Sequence, residues 1–253
     1  MHRACRVPAL VIVLAGGAMS GCSERSEPMH ESRSESDRQP TEWAAARLEV
    51  YSRTVVGNLK KWRDCSLRTH SLGKLKLPTG KVVACDPFVD PDKAVEFDAV
   101  VPIGTYPITL VIARKPSGDE RIAFAAITFR DATVSKWKWA APAGWVPRSD
   151  QKGVPYEYGV DAGTGAFFDV SGCRLFKSYS FNHPLCQRLL KAKDANYKPT
   201  RDWALVMLDE ASGLNAAEFS SGDGDGAYSS YWGFDEQGNV ACLVTDFLMI
   251  EVE

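Results

Sequence analysis

Tyr106-Pro107-Ile108-Thr109-Leu110-Val111-Ile112-Ala113 decides the fold class. Tyr106, Ile108, Leu110 and Ile112 recur at a period of two, with Pro107, Thr109, Val111 and Ala113 between them, which is the side-chain alternation of a β-strand. Working outward, Pro116-Ser117-Gly118 is a turn, and 121–130 is a second apolar run on its far side. Trp137 and Trp139 alternate with Lys136 and Lys138, which predicts one packed face and one wet face. Residues 203–208 and 240–250 are further strand segments, and Ser212-Gly213 and Gln237-Gly238-Asn239 carry turn chemistry. Strands repeating with short turns and no alternating helices predict a mainly β fold, an antiparallel β-sandwich or open barrel. One helix precedes it. Over 41–62, Trp43, Leu48, Tyr51, Val55, Leu59 and Trp62 return close to one helical face, Thr41 is the N-cap, and Lys60 and Lys61 suit the C-terminal dipole. No internal repeat is visible.

The 253 residues are 45% hydrophobic and 25% charged, an ordinary globular balance that excludes a wholly disordered chain, a collagen and a coiled coil. With Lys and Arg at 30 and Asp and Glu at 32, no global basic field exists, which argues against a dedicated nucleic-acid binder.

The N-terminus reads as an address. Arg3 and Arg6 precede an apolar run, Val7 to Ala15, which is far shorter than the roughly 17–25 residues of a membrane-crossing helix. It fits the hydrophobic segment of a secretion signal. Met19-Ser20-Gly21-Cys22 resembles the lipobox of bacterial lipoproteins, and the resemblance implies cleavage before Cys22 and diacylglycerol on its sulfur, with an incidental Cys after an ordinary signal as the alternative. Ser23 in place of an Asp after the lipidated Cys implies the outer membrane, with the protein facing the periplasm. From Ser23 to Thr41 the chain holds five Ser, four Glu, three Arg and one Asp and no aromatic residue, so it reads as an extended tether. The expected organisation is a signal peptide at 1–21, a lipid-anchored tether at 22–41 and one globular domain at 42–253, its β part spanning about 72–250.

Seven cysteines are present. Cys5 leaves with the signal and Cys22 takes the lipid. In an oxidising periplasm Cys173 and Cys186, flanking a polar and aromatic segment, are the expected disulfide. Cys85 and Cys242 sit in apolar stretches and read as buried thiols, and Cys65 could pair with either.

Two stretches set carboxylates among glycines: 159–165 with Asp161, and 220–235 with Asp223 and Asp225. Glycine lets carbonyls converge as in cages for hard cations, so Asp223 and Asp225 could hold Ca²⁺. The EF-hand pattern fails, because Ala227 and Phe234 occupy positions that need oxygen ligands. The alternative is a strand-joining turn. The first stretch lacks the Gly-Lys-Ser/Thr ending of a phosphate loop. No Gly-x-Ser-x-Gly and no His-Glu-x-x-His occurs, and His70 and His183 read as surface side chains. Asp246 interrupts an apolar strand, so it pairs with an Arg or carries a raised pKa. Tyr228, Tyr231 and Trp232 beside the glycine loop form either a binding surface or core.

In order along the chain, 77–87, Gly104-Thr105-Tyr106-Pro107-Ile108, 159–165, 221–228 with Tyr231-Trp232-Gly233, and Thr245-Asp246-Phe247 resemble the bacterial domain of unknown function 4241 over roughly 72–250. The resemblance implies a domain boundary and brings no activity. The expected function is a lipid-anchored, periplasm-facing binding protein with a protein partner, one version being an inhibitor or immunity protein against a secreted toxin. The alternatives are a hydrolase or metal-dependent enzyme built on Asp161, Asp169, Asp223, Asp225 and Asp235, and a structural envelope lipoprotein.

Overall fold

The computed structural model describes residues 38–57, 59–147, 154–177 and 182–252. The expected signal segment, Cys22 and the tether as far as Asp37 lie outside the described residues.

Helix α1 (Glu42–Val55) starts on Thr41, whose side chain accepts the Ala44 N–H at 3.2 Å. It stops earlier than the periodicity predicts. Gly57 takes φ +78° just past its end, and Trp62 instead joins strand β1 (Lys61–Trp62). Then follow β2 (Cys65–Leu77), β3 (Val82–Cys85), β4 (Gly104–Arg114), β5 (Glu120–Thr128), β6 (Lys136–Ala140), β7 (Glu157–Val160) and β8 (Thr164–Asp169). Helices α2 (Val170–Cys173) and α3 (Pro184–Ala195) precede β9 (Trp203–Asp209), β10 (Leu214–Ser220), β11 (Gly226–Phe234) and β12 (Val240–Asp246).

Among the described residues the strands form two sheets, antiparallel throughout. The larger runs β1-β2-β4-β5-β12-β11-β6, with β7 also pairing β11, and the smaller runs β3-β8-β10-β9. They pack as an open sandwich rather than a closed barrel. The inner core joins Ile108, Leu110, Ile112, Ile127, Trp232 and Leu243 of the large sheet to Val82, Phe167, Ala217 and Phe219 of the small one. The other face of the large sheet (Val111, Phe124, Tyr231, Val244) is covered by Leu48 and Tyr51 of α1. The other face of the small sheet (Val83, Phe168, Val206, Ala216) is covered by Cys173 of α2 and by Leu185, Cys186 and Leu189 of α3. Both sheets are therefore buried on both sides. That explains why β4 reads apolar at Val111 and Ala113 as well as at Ile108, Leu110 and Ile112.

The mainly β architecture and the N-terminal helix are as the sequence predicts, whereas α3 is an addition. His183, expected at the surface, is half-buried and begins that helix. Its Nδ1 accepts the Leu185 N–H at 3.3 Å as the N-cap of α3, and Pro184 follows at the first helical position, where a missing N–H costs nothing.

Two side chains weld the sheets at their corners. The Asn215 amide accepts the Lys76 N–H and donates to the Lys74 carbonyl, both at 2.9 Å, taking the place of a strand beside β2. Asp169, fully buried, accepts the N–H and hydroxyl of Thr79 (2.9 and 2.8 Å) and the N–H of Ser171 (2.9 Å). Between them, Gly80 sits at φ +71°, and a Cβ there would lie 2.1 Å from the Val101 carbonyl. Thr79→Val, which removes one hydrogen bond to a carboxylate, is expected to lower stability by about 2 kcal/mol, read as a shift in the urea midpoint.

Candidate functional site

The two glycine-rich stretches meet. Asp86 is buried, and its Oδ2 accepts the N–H groups of Asp161 (2.9 Å) and Ala162 (2.7 Å) while Oδ1 accepts that of Phe88 (2.8 Å). Burial pushes the Asp86 carboxyl above its ordinary value, and the three backbone donors pull it back. Asp225 accepts the Gly163 N–H at 2.9 Å, the Gly163 carbonyl accepts the Ser221 N–H at 3.1 Å, and the Tyr228 hydroxyl donates to the Ser221 and Gly224 carbonyls. The β7–β8 and β10–β11 turns thus form one joint.

The five aspartates proposed as a cluster do not converge. Asp161 and Asp225 belong to the joint. Asp169 lies at the far end of β8, roughly 20 Å along the strand, and Asp235 at the far end of β11, roughly 30 Å away, where it accepts the Asn239 N–H at 2.7 Å. Asp223 and Asp225, the calcium candidates, have other partners. Asp223 faces Arg121 (3.6 Å) and Lys115 (3.9 Å), Asp225 holds Gly163, and among the described residues no group of three or more His, Cys, Asp or Glu is arranged around a metal position.

Of the two readings of the aromatic triplet, the three side chains take the core one. On β11, inside the large sheet, Tyr228 and Trp232 enter the inner core and Tyr231 the layer under α1, and all three are buried. Helix α1 and the small sheet close both faces of the strand, which leaves none of these three rings for a partner. The Trp232 Nε1–H donates to Asp98 at 3.2 Å.

Asp246 has the partner its position demands. Its Oδ2 accepts the Arg47 Nε–H at 2.6 Å, with both side chains buried, and the guanidinium stacks 3.1 Å above the Trp43 ring. His70 stacks on Trp203 with centroids 4.3 Å apart.

Cys173 and Cys186 are not bridged. Cys65, Cys85, Cys173, Cys186 and Cys242 all carry thiols. The segment between Cys173 and Cys186 is no simple closed loop, because α3 begins before Cys186 and carries that residue into the packed layer over the small sheet.

Two features escape sequence reasoning. The first is a buried polar corner under α3. Glu218 on β10 is fully buried, and neither carboxyl oxygen has a hydrogen-bond partner among the described residues. Burial pushes its pKa up to about 9, Lys193 pulling it down and Asp202 and Asp194 pushing it up. The Lys193 ammonium donates to Thr164 Oγ1 at 2.5 Å and lies 3.9 Å from Asp202, whose carboxylate accepts the Ser220 hydroxyl at 2.6 Å. Apolar alternation on β10 stops at Glu218, the one signal that could have marked it.

The second is the connection from β3 to β4, residues 86–103. Its backbone is pinned: Phe97 N–H donates to Val82, Asp98 N–H to Ala141 and Val101 N–H to Gly80, each at 2.9 Å, and the Tyr106 hydroxyl donates to Pro102 at 2.5 Å. From this fixed backbone Val95, Val100 and Ile103 project 53%, 61% and 74% exposed.

Glycine-turn joints, carboxylate pins and a double-covered sheet pair define a β-sandwich domain whose signature residues serve its architecture. A family model described as a protein of unknown function (DUF4241) matches residues 75–245, and the chain belongs to that family. No curated protein and no solved structure matches the chain.

Proposed function

We propose that the protein is a lipid-anchored, periplasm-facing binding protein that engages a protein partner through the β3–β4 connection. One version is an inhibitor or immunity protein against a secreted toxin. The observation that carries the reading is the exposed aliphatic set Val95, Val100 and Ile103 on a backbone already fixed by hydrogen bonds. A rigid loop has lost its conformational freedom before contact, so less of the gain from burying those side chains is offset by ordering the loop. Water offers them nothing comparable. The separation of the five aspartates weighs against an enzyme built on them.

The test has two parts. Palmitate labelling in cells is expected in the wild type and lost in Cys22→Ser; labelling of neither removes the anchor. Envelope pull-downs are expected to recover a partner with the wild type and at least tenfold less with Ile103→Asp, whose melting temperature should stay within about 2 °C of wild type because the site is exposed. Equal recovery by both proteins would move the interface elsewhere.

A further inference from the structure

Cys85 and Cys173 lie in one buried apolar layer. Cys85 ends β3, which pairs with β8 at Cys85 opposite Ala166. Strand β8 runs into α2, whose first N–H, from Val170, donates to the Lys81 carbonyl at 3.0 Å just before β3 begins. Helix α2 then packs back along β3, and Cys173 arrives in the same apolar layer as Cys85. Cys173 is the neighbour that acts most strongly on the Cys85 thiol. Both are buried, and the elements that carry them are tied together by backbone hydrogen bonds.

We propose that Cys85 and Cys173 are a cross-linking site, closed to a disulfide when the chain folds in the presence of an external disulfide. The two Cys thiols lose their protons and one Sγ–Sγ bond forms. The two electrons pass to the external disulfide, whose bond breaks and which leaves as two thiols. The reaction belongs to folding rather than to the finished protein. Once the layer closes, the neighbouring Cys173 thiol and burial hold Cys85 well above the ordinary cysteine range, and little thiolate remains to attack. The bond would tie β3 to the end of α2 across a long stretch of chain, the kind of link that restrains an unfolded ensemble most. The pairing itself rests only on the fold. Its closure in the cell rests on the proposed export to an oxidising compartment.

The full chain, unfolded and reduced, would be refolded in a mixture of oxidised and reduced glutathione, alkylated, digested without reduction and analysed by mass spectrometry. The expected result is a linked peptide pair containing Cys85 and Cys173, absent from Cys85→Ser and Cys173→Ser and retained in Cys186→Ser. A Cys173–Cys186 link, or both Cys85 and Cys173 recovered alkylated, overturns the pairing. That readout needs only the wild-type chain, so a variant that misfolds leaves the answer intact. The same digest of protein purified from cells separates the two readings. A link formed in refolding and missing from cellular material upholds the pair and counts against export.

Discussion

Asp246→Ala is expected to lower the unfolding free energy by about 3–5 kcal/mol, because it leaves a buried guanidinium without its counter-charge. Asp246 lies on β12, in the middle of the large sheet, and its Oδ2 is the acceptor for Arg47 of α1. Its Oδ1 also accepts the Leu248 N–H at 2.9 Å, which holds Leu248 at φ +61°. Burial drives the Asp246 carboxyl above its ordinary value against the pull of Arg47, so the pair opposes a large desolvation cost. Arg47 is itself underused: its Nη1 has no hydrogen-bond partner among the described residues, and the Trp43 ring supplies part of the compensation. The double variant Arg47→Met with Asp246→Leu is therefore expected to recover most of the loss, since two apolar groups of similar size need no counter-charge. Urea unfolding of the wild type, both single variants and the double variant forms a thermodynamic cycle. A single-variant loss below about 1 kcal/mol would show that the pair is solvated, contrary to its burial.

Glu218→Gln is expected to raise stability at neutral pH and to flatten its pH dependence. In the unfolded chain the carboxyl titrates near 4.5, and in the fold burial holds it near 9. Between those values the folded state binds more protons than the unfolded state. Stability is thus fully present below about pH 4.5 and declines as pH rises toward 9. At pH 7 the decline amounts to about 3 kcal/mol, from 1.36 kcal/mol for each pKa unit. Glutamine keeps the shape and has no proton to lose, so its midpoint should stay level across that window. Asp202, also raised by burial, leaves a residual slope of the same sign. Urea midpoints at pH 5, 7 and 9 measure the difference. A wild-type midpoint that does not fall with pH would mean that Glu218 finds an ionic partner in solution.

Much of the fold is legible in the chain because its strands follow simple periodicities. The alternation at 106–113, the two runs separated by Pro116-Ser117-Gly118 and the N-cap Thr41 all become elements where the pattern puts them. Asp246 is legible for a related reason: a carboxylate inside an apolar strand must find a cation, and the chain provides Arg47. What pattern cannot supply is depth. Tyr228, Tyr231 and Trp232 look alike beside a glycine turn whether they face water or core. Only the covering of both faces of β11 by α1 and the small sheet decides it. Helix α3 hides behind a mixed polar sequence in which Leu185 and Leu189 are the main inward apolar anchors. The proximity of Cys85 and Cys173 is set by the packing of α2 back on β3, and nothing in the sequence distance between them announces it.

The clasp between α1 and β12 also has a mechanical meaning. A pull arriving from the N-terminal side first meets Arg38, which is ion-paired to Asp98, and then α1, which is fastened through Arg47 to a strand flanked on both sides by paired neighbours. Force is thereby delivered to the middle of the large sheet, where strands must slide past one another together, and not to a margin that could unzip bond by bond. A domain held on a leash under flow or crowding would keep its shape longest when loaded in that direction.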